Sequence, residues 1–110
     1  MSYNIRTTAP FEKQAKKLAK KYPSLKNDLL LLIESLEINP AQGTSLGNNF
    51  YKIRLAITSK TKGKSGGARV ITFVRVINET VFLASIYDKS KQAAISDKEL
   101  KWLAEVISKM

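Results

Sequence analysis

Apolar and polar positions change period several times along the chain. Tyr3-Asn4-Ile5-Arg6 alternates and predicts a short strand. Thr8-Ala9-Pro10 then reads as the start of a helix, since proline is tolerated in a first turn. Phe11, Ala15, Leu18, Ala19 and Tyr22 follow at helical spacing, with Lys13, Lys16, Lys17, Lys20 and Lys21 on most of the remaining surface. Pro23 ends this helix, because the residue before a proline is pushed away from α geometry. Ser24 is the expected N-cap of a second helix. Leu25, Leu29, Leu32, Ile33 and Leu36 form its stripe, widened by Leu30 and Leu31, and Asn39-Pro40 stops it.

Residues 41–49 are small and polar and read as loop. Residues 51–57 alternate: Tyr51, Ile53, Leu55 and Ile57 share one face, and Lys52, Arg54 and Ala56 share the other. A basic, glycine-containing loop covers residues 58–67. Residues 68–77 are apolar on both faces, as in a central strand, and Asn78-Glu79 is the expected hairpin turn into a strand over 81–87. Ser96-x-x-Glu99 is a capping box, flanked by Ile95 and Leu100 as a hydrophobic staple. Leu100, Leu103 and Ile107 give the following helix its apolar face, with Trp102, Val106 and Met110 beside it. The order β-α-α-β-β-β-α predicts an α+β fold: a small, mostly antiparallel sheet packed with an N-terminal helical hairpin and a C-terminal helix. At 110 residues the chain, 1–110, is expected to be a single domain.

Charge adds what periodicity cannot. The chain has 19 Lys and Arg against 9 Asp and Glu, a formal net charge of +10, so its field favours a polyanionic partner. No acid falls between Ile38 and Asn78, a stretch with seven cations: Lys52, Arg54, Lys60, Lys62, Lys64, Arg69 and Arg75. Without Cys or His, thiolate nucleophiles, Cys/His zinc sites, the Ser-His-Asp triad and histidine-based nuclease chemistry are excluded. Asp88 has no paired acid, so no metal site and no cofactor are expected. Residues 1–8 lack an apolar signal region, and the run from Leu29 to Ile33 is too short to span a bilayer, so the chain is expected in the cytoplasm, off the membrane.

Lys52 and Arg54 are two apart and project from one face, roughly 7 Å apart along a strand. Arg69 opens the neighbouring strand, so all three are expected to converge. Such a group would hold phosphate oxygens and stabilise charge on a pentacoordinate phosphorus; the plainer alternative is a polar outer face. The loop lysines Lys60, Lys62 and Lys64 suit a phosphate backbone, although the loop lacks the order of residues of a nucleotide-binding P-loop.

Tyr51-Lys52-Ile53-Arg54-Leu55, Gly67-Ala68-Arg69-Val70-Ile71 and Ile86-Tyr87-Asp88-Lys89, in that order, resemble the RelE/ParE toxin superfamily. The basic segment Gly63 to Arg69 looks closest to HigB-like RelE toxins. The resemblance implies a type II toxin that cleaves mRNA in the ribosomal A site without metal. Basic residues on the strands, with a further C-terminal set, would act on the RNA 2′-hydroxyl and scissile phosphate. Lys52 and Arg54 match the strand pair and Arg69 the arginine of the next strand. Lys89 and Lys91 stand where RelE uses an arginine, and RelE's terminal-helix tyrosine has no counterpart, since Tyr87 lies earlier. The catalytic candidates are therefore Lys52, Arg54, Arg69, Lys89 and Lys91, and the RNA-contacting ones Lys60, Lys62, Lys64, Arg75 and Tyr87. RNA brings its own nucleophile. Positive neighbours disfavour a lysine's protonated form, which casts Lys52 as the base, and the arginines as charge stabilisers. The proton donor to the leaving oxygen stays open. The implied partners are ribosome, message and a cognate antitoxin of helix-turn-helix type. Rival readings are a gyrase-poisoning ParE-like toxin and a non-catalytic RNA-binding module.

Overall fold

The computed structural model describes residues 2–59 and 67–110. Strand β1 (Asn4–Thr7) leads into α1 (Ala9–Lys21) and α2 (Leu25–Ile38). Four strands follow, β2 (Thr44–Gly47), β3 (Phe50–Leu55), β4 (Ala68–Arg75) and β5 (Thr80–Asp88), and then α3 (Asp97–Ser108). They build one five-stranded sheet in the order β1-β5-β4-β3-β2. Only the β1–β5 pair is parallel; the others are antiparallel. The α+β class and the mostly antiparallel sheet match the expectation from the sequence.

Helix α1 starts as its sequence indicates. Thr8 is extended, its Oγ1 accepts from the Phe11 amide at 3.1 Å, and Pro10 sits in the first turn. The same hydroxyl donates to the Ala84 carbonyl at 2.8 Å, tying the start of the helix to β5. Helices α1 and α2 cover one face of the sheet through Phe11, Leu25, Leu32 and Leu36, which pack on Ile53, Val70, Leu83 and Ile86. Helix α3 covers the other face: Leu103 and Ile107 meet Phe50, Ile71, Phe82, Ala84 and Tyr87. With both faces covered, all nine residues of β5 are buried.

The structure corrects several expectations. Residues 41–49 are not all loop: Thr44–Gly47 pairs with β3, and Asn48 and Asn49, at φ 51° and 68°, make the tight turn between them. Two consecutive left-handed residues match the twist of a short hairpin, and asparagine adopts that conformation readily. The element order is thus β-α-α-β-β-β-β-α. Strand β3 ends at Leu55 rather than at Ile57. Strand β4 ends at Arg75, and Val76 and Ile77 are exposed turn residues rather than strand. Leu30 and Leu31 face solvent at 51% and 60% exposure, so they do not widen the core stripe.

Ser24 is helical and makes no side-chain cap bond. Its hydroxyl donates to Asp28 Oδ2 at 2.8 Å and accepts from the Ser59 amide at 2.8 Å. Asp28, buried, also accepts from the Thr58 amide at 3.1 Å and the Thr58 hydroxyl at 3.1 Å. This network pins the segment after β3 onto the first turn of α2. Asp28→Ala leaves those donors unpaired and should cost about 1–3 kcal/mol of stability. Asp28→Asn, which keeps one acceptor oxygen, should cost less; denaturant melts of the two variants check the ranking.

Candidate functional site

The antiparallel registers arrange the α3-side face of the sheet in rows. One row runs Arg54 on β3, Arg69 on β4 and Tyr87 on β5, each opposite the next. Directly opposed residues have Cα atoms about 5 Å apart, so the two guanidiniums and the phenol belong to one site. The neighbouring row holds Lys52 opposite Ile71, with Thr44 of β2 on the other side of Lys52. Lys52 is therefore diagonal to Arg69 and does not stand between two arginines. A third row, Phe50, Phe73, Phe82 and Arg6, crosses the sheet beneath α3. Its aromatic rings lie 5.0 Å and 6.3 Å apart, centroid to centroid, and form the packed floor next to the polar rows.

Burial separates the members of the Arg54-Arg69-Tyr87 row. Arg54 is exposed, whereas Arg69 and Tyr87 are each only 6% exposed. Arg69 donates from Nη1 to the carbonyl of its own neighbour Ala68 at 3.2 Å, and among the described residues no carboxylate pairs with it. A buried cation is costly unless it is paired, and the described residues supply no anion for this guanidinium. Beside it the Tyr87 hydroxyl is buried without a hydrogen-bond partner. Burial pushes the Tyr87 phenol above its ordinary 10.0; the Arg69 charge pulls it back and the Glu99 carboxylate raises it.

That shift predicts an alkaline signature. The native state holds the Tyr87 proton where the unfolded chain releases it. Its contribution to stability is full below pH 10.0, the ordinary value, and is lost as pH rises from there through the raised native value. The melting temperature should therefore fall less steeply between about pH 10 and 11 in Tyr87→Phe than in the wild type.

The other candidates are dispersed. Lys89 follows β5, and its Nζ is held by the Ala93 carbonyl at 2.9 Å. Lys91 lines a cavity with Lys17 and Lys21 of α1 and with Tyr87 and Asp88 of β5. Arg75 sits at the far end of the face, where its Nη2 donates to the Ile107 carbonyl of α3 at 3.4 Å. Lys60, Lys62 and Lys64 lie outside the described residues. Two positions near these rows were not read as functional from the sequence: Glu99, assigned only to the capping box and whose charge reaches Tyr87, and Arg6, which alternation assigned only to a strand. Glycine has a specific use at one boundary of the site. A Cβ on Gly67 would run into the backbone of Leu55 and Ala56, so only glycine lets the chain reach β4 this close to the end of β3. The Gly67 carbonyl also accepts from the Lys89 amide at 3.1 Å, which draws the segment after β5 to the same corner. Asp88 braces that segment: its carboxylate accepts from Tyr22 Oη at 2.8 Å, the Ser90 amide at 3.0 Å and the Ser90 hydroxyl at 2.8 Å. Among the described residues no helix is long and apolar enough to cross a membrane.

The α3-side face of this α+β sheet thus carries Arg54 and Arg69 side by side in one row, with no carboxylate partner for Arg69 among the described residues. The sequence, over residues 7–110, matches the family model described as the RelE toxin of the RelE / RelB toxin-antitoxin system. The chain belongs to this family, and is thereby the toxin of a type II toxin-antitoxin pair with a cognate antitoxin as partner. Among solved structures it is similar to a mutant of the E. coli toxin RelE in the free state, at 18% identity and a TM-score of 0.64, covering 100% of this chain and 99% of the other. It is also similar to a chain of the intact E. coli RelBE toxin-antitoxin complex, at 24% identity and a TM-score of 0.50, covering 77% of this chain and 94% of the other. At these identities the likeness concerns the fold. No curated protein matches the sequence.

Proposed function

We propose that this toxin is a ribosome-dependent endoribonuclease that cleaves message at the Arg54-Arg69-Tyr87 row and acts in the cytoplasm, where translating ribosomes are. The observation that carries the reading is the buried Arg69 guanidinium, which has no carboxylate partner among the described residues and stands directly between an exposed arginine and an unpartnered phenol. In the reaction the RNA 2′-oxygen attacks the adjacent phosphorus and the bond to the 5′-oxygen breaks. A 2′,3′-cyclic phosphate and a free 5′-hydroxyl result. One proton leaves the 2′-hydroxyl and one reaches the departing 5′-oxygen. Lys52, one row away, is the candidate base. Arg54 and Arg69 hold the phosphate and offset the charge that grows on its equatorial oxygens. Tyr87, kept protonated by its burial, is suited to donate to the leaving oxygen. Lys89, two residues past Tyr87, has its Nζ engaged by the Ala93 carbonyl, and Lys91 lies toward α1, so both suit contacts to the RNA strand better than the bond-breaking step.

Purified toxin should cut a message on translating ribosomes, leave naked message intact, and arrest growth when expressed without its antitoxin. Efficient cutting of naked RNA that EDTA abolishes would overturn both the ribosome dependence and the metal-free chemistry.

A further inference from the structure

The far end of the α3-bearing face gathers a second pair of guanidiniums that the cleavage reading does not use. Arg6 on β1 is the register partner of Phe82 on β5, and Arg75 lies at the end of β4. The Cζ of Arg75 is 4.7 Å from the centroid of the Phe82 ring, and that of Arg6 is 5.6 Å from the same centroid. Phe82 is wholly buried, Arg75 half-buried and Arg6 exposed. An aromatic face attracts a cation and fixes the plane of a guanidinium while its donor edges remain available. Arg75 spends one donor on the Ile107 carbonyl.

Two like charges on one ring repel each other and call for an anion. Among the described residues neither arginine has a carboxylate partner. The acids nearest in sequence do not answer the need: Glu12 is engaged by the Thr7 hydroxyl, and Glu79 projects from the exposed turn before β5. Arg75 lies six positions along β4 from Arg69, roughly 20 Å of extended chain, so this pair is distinct from the Arg54-Arg69-Tyr87 row.

We propose that Arg6 and Arg75, gathered over Phe82, form a second RNA-backbone site that takes neighbouring phosphodiesters. The proposal rests on the ribosome-directed reading above. Phosphodiesters fit better than an acidic peptide because the two forks are fixed by a buried ring and a helix terminus. That arrangement suits the regular spacing of a nucleic-acid backbone. It also lies on the same face of the sheet as the cleavage row, so one folded RNA surface can reach both. The site contributes to docking and register rather than to the chemical step.

The test uses Arg6, which is exposed and outside the cleavage row. Binding of full-length toxin to ribosomes is measured against salt concentration for wild type, Arg6→Ala and Arg6→Lys, with message cleavage and antitoxin affinity measured on the same preparations. Losing one phosphate contact should make the log–log salt slope shallower by about 0.7–0.9 and weaken binding at 0.1 M salt roughly fivefold. Arg6→Lys should keep the slope, and the cleavage rate at saturating toxin should not change. A slope change already present on ribosomes without message assigns the phosphodiesters to ribosomal RNA; one seen only with message assigns them to the message. An unchanged slope in Arg6→Ala, or a loss confined to antitoxin binding, overturns the proposal. If wild-type toxin itself fails to bind ribosomes, the functional reading falls first and this site falls with it.

Discussion

Arg69→Met is expected to abolish message cleavage while leaving the protein at least as stable as the wild type. The two effects share one cause. Arg69 is 6% exposed and donates to the carbonyl of Ala68, and among the described residues it has no carboxylate partner. A buried charge without a counter-ion opposes folding, and an apolar side chain of similar reach removes that cost. On the proposed mechanism the same charge would face the scissile phosphate. Losing such a stabiliser typically raises the barrier by about 2.7–4 kcal/mol, a factor of about 10²–10³ in rate. Single-turnover cleavage on ribosomes and a thermal melt of the same sample decide the matter. An active Arg69→Met, or an inactive one that is also unfolded, would remove the case for a site held ready at some expense of stability.

Tyr87→Phe carries the second large effect. The phenolic hydroxyl is buried with no partner, so its deletion should stabilise the free protein by about 1 kcal/mol. If the phenol delivers the proton to the leaving 5′-oxygen, the same deletion should slow cleavage about 10²-fold or more. The loss should be rescued by a substrate whose leaving atom needs no proton, such as a link with sulfur in place of the bridging 5′-oxygen, which departs as a thiolate. Message cut at the wild-type rate by Tyr87→Phe would return the residue to a packing role.

Much of this site was legible in the sequence, because period-two alternation is a local property. Lys52 and Arg54 had to share a face of β3 whatever the rest of the chain did. Register is not local. Nothing in the residues themselves states that Arg54 stands opposite Arg69 and Arg69 opposite Tyr87; that follows from where the hairpins turn and from the irregularity in β4–β5 pairing after Ile71. Strand β2 was missed for a related reason. Thr44-Ser45-Leu46-Gly47 has no apolar alternation, and the edge strand exists because β3 offers it a partner. Its available signal was Asn48-Asn49, a pair suited to the left-handed turn they make. Ser24 reads as a cap by residue type, yet its hydroxyl is claimed by Asp28 and Ser59, the latter 35 residues away. Lys91 is a candidate only through the resemblance, which sets it where RelE uses an arginine, and the turn braced by Asp88 brings it beside Lys17 and Lys21 of α1.

On the proposed mechanism the RNA supplies the nucleophile, its own 2′-oxygen, while the toxin holds the phosphate and moves the two protons. This is tested most directly with a message carrying a single 2′-deoxynucleotide on the 5′ side of the scissile bond, programmed into ribosomes. The toxin should bind this complex as it binds the all-ribose one and leave the message uncut, whereas the all-ribose message should yield a 2′,3′-cyclic phosphate end. Cleavage of the deoxy-substituted message at the same bond and rate would contradict the proposed mechanism.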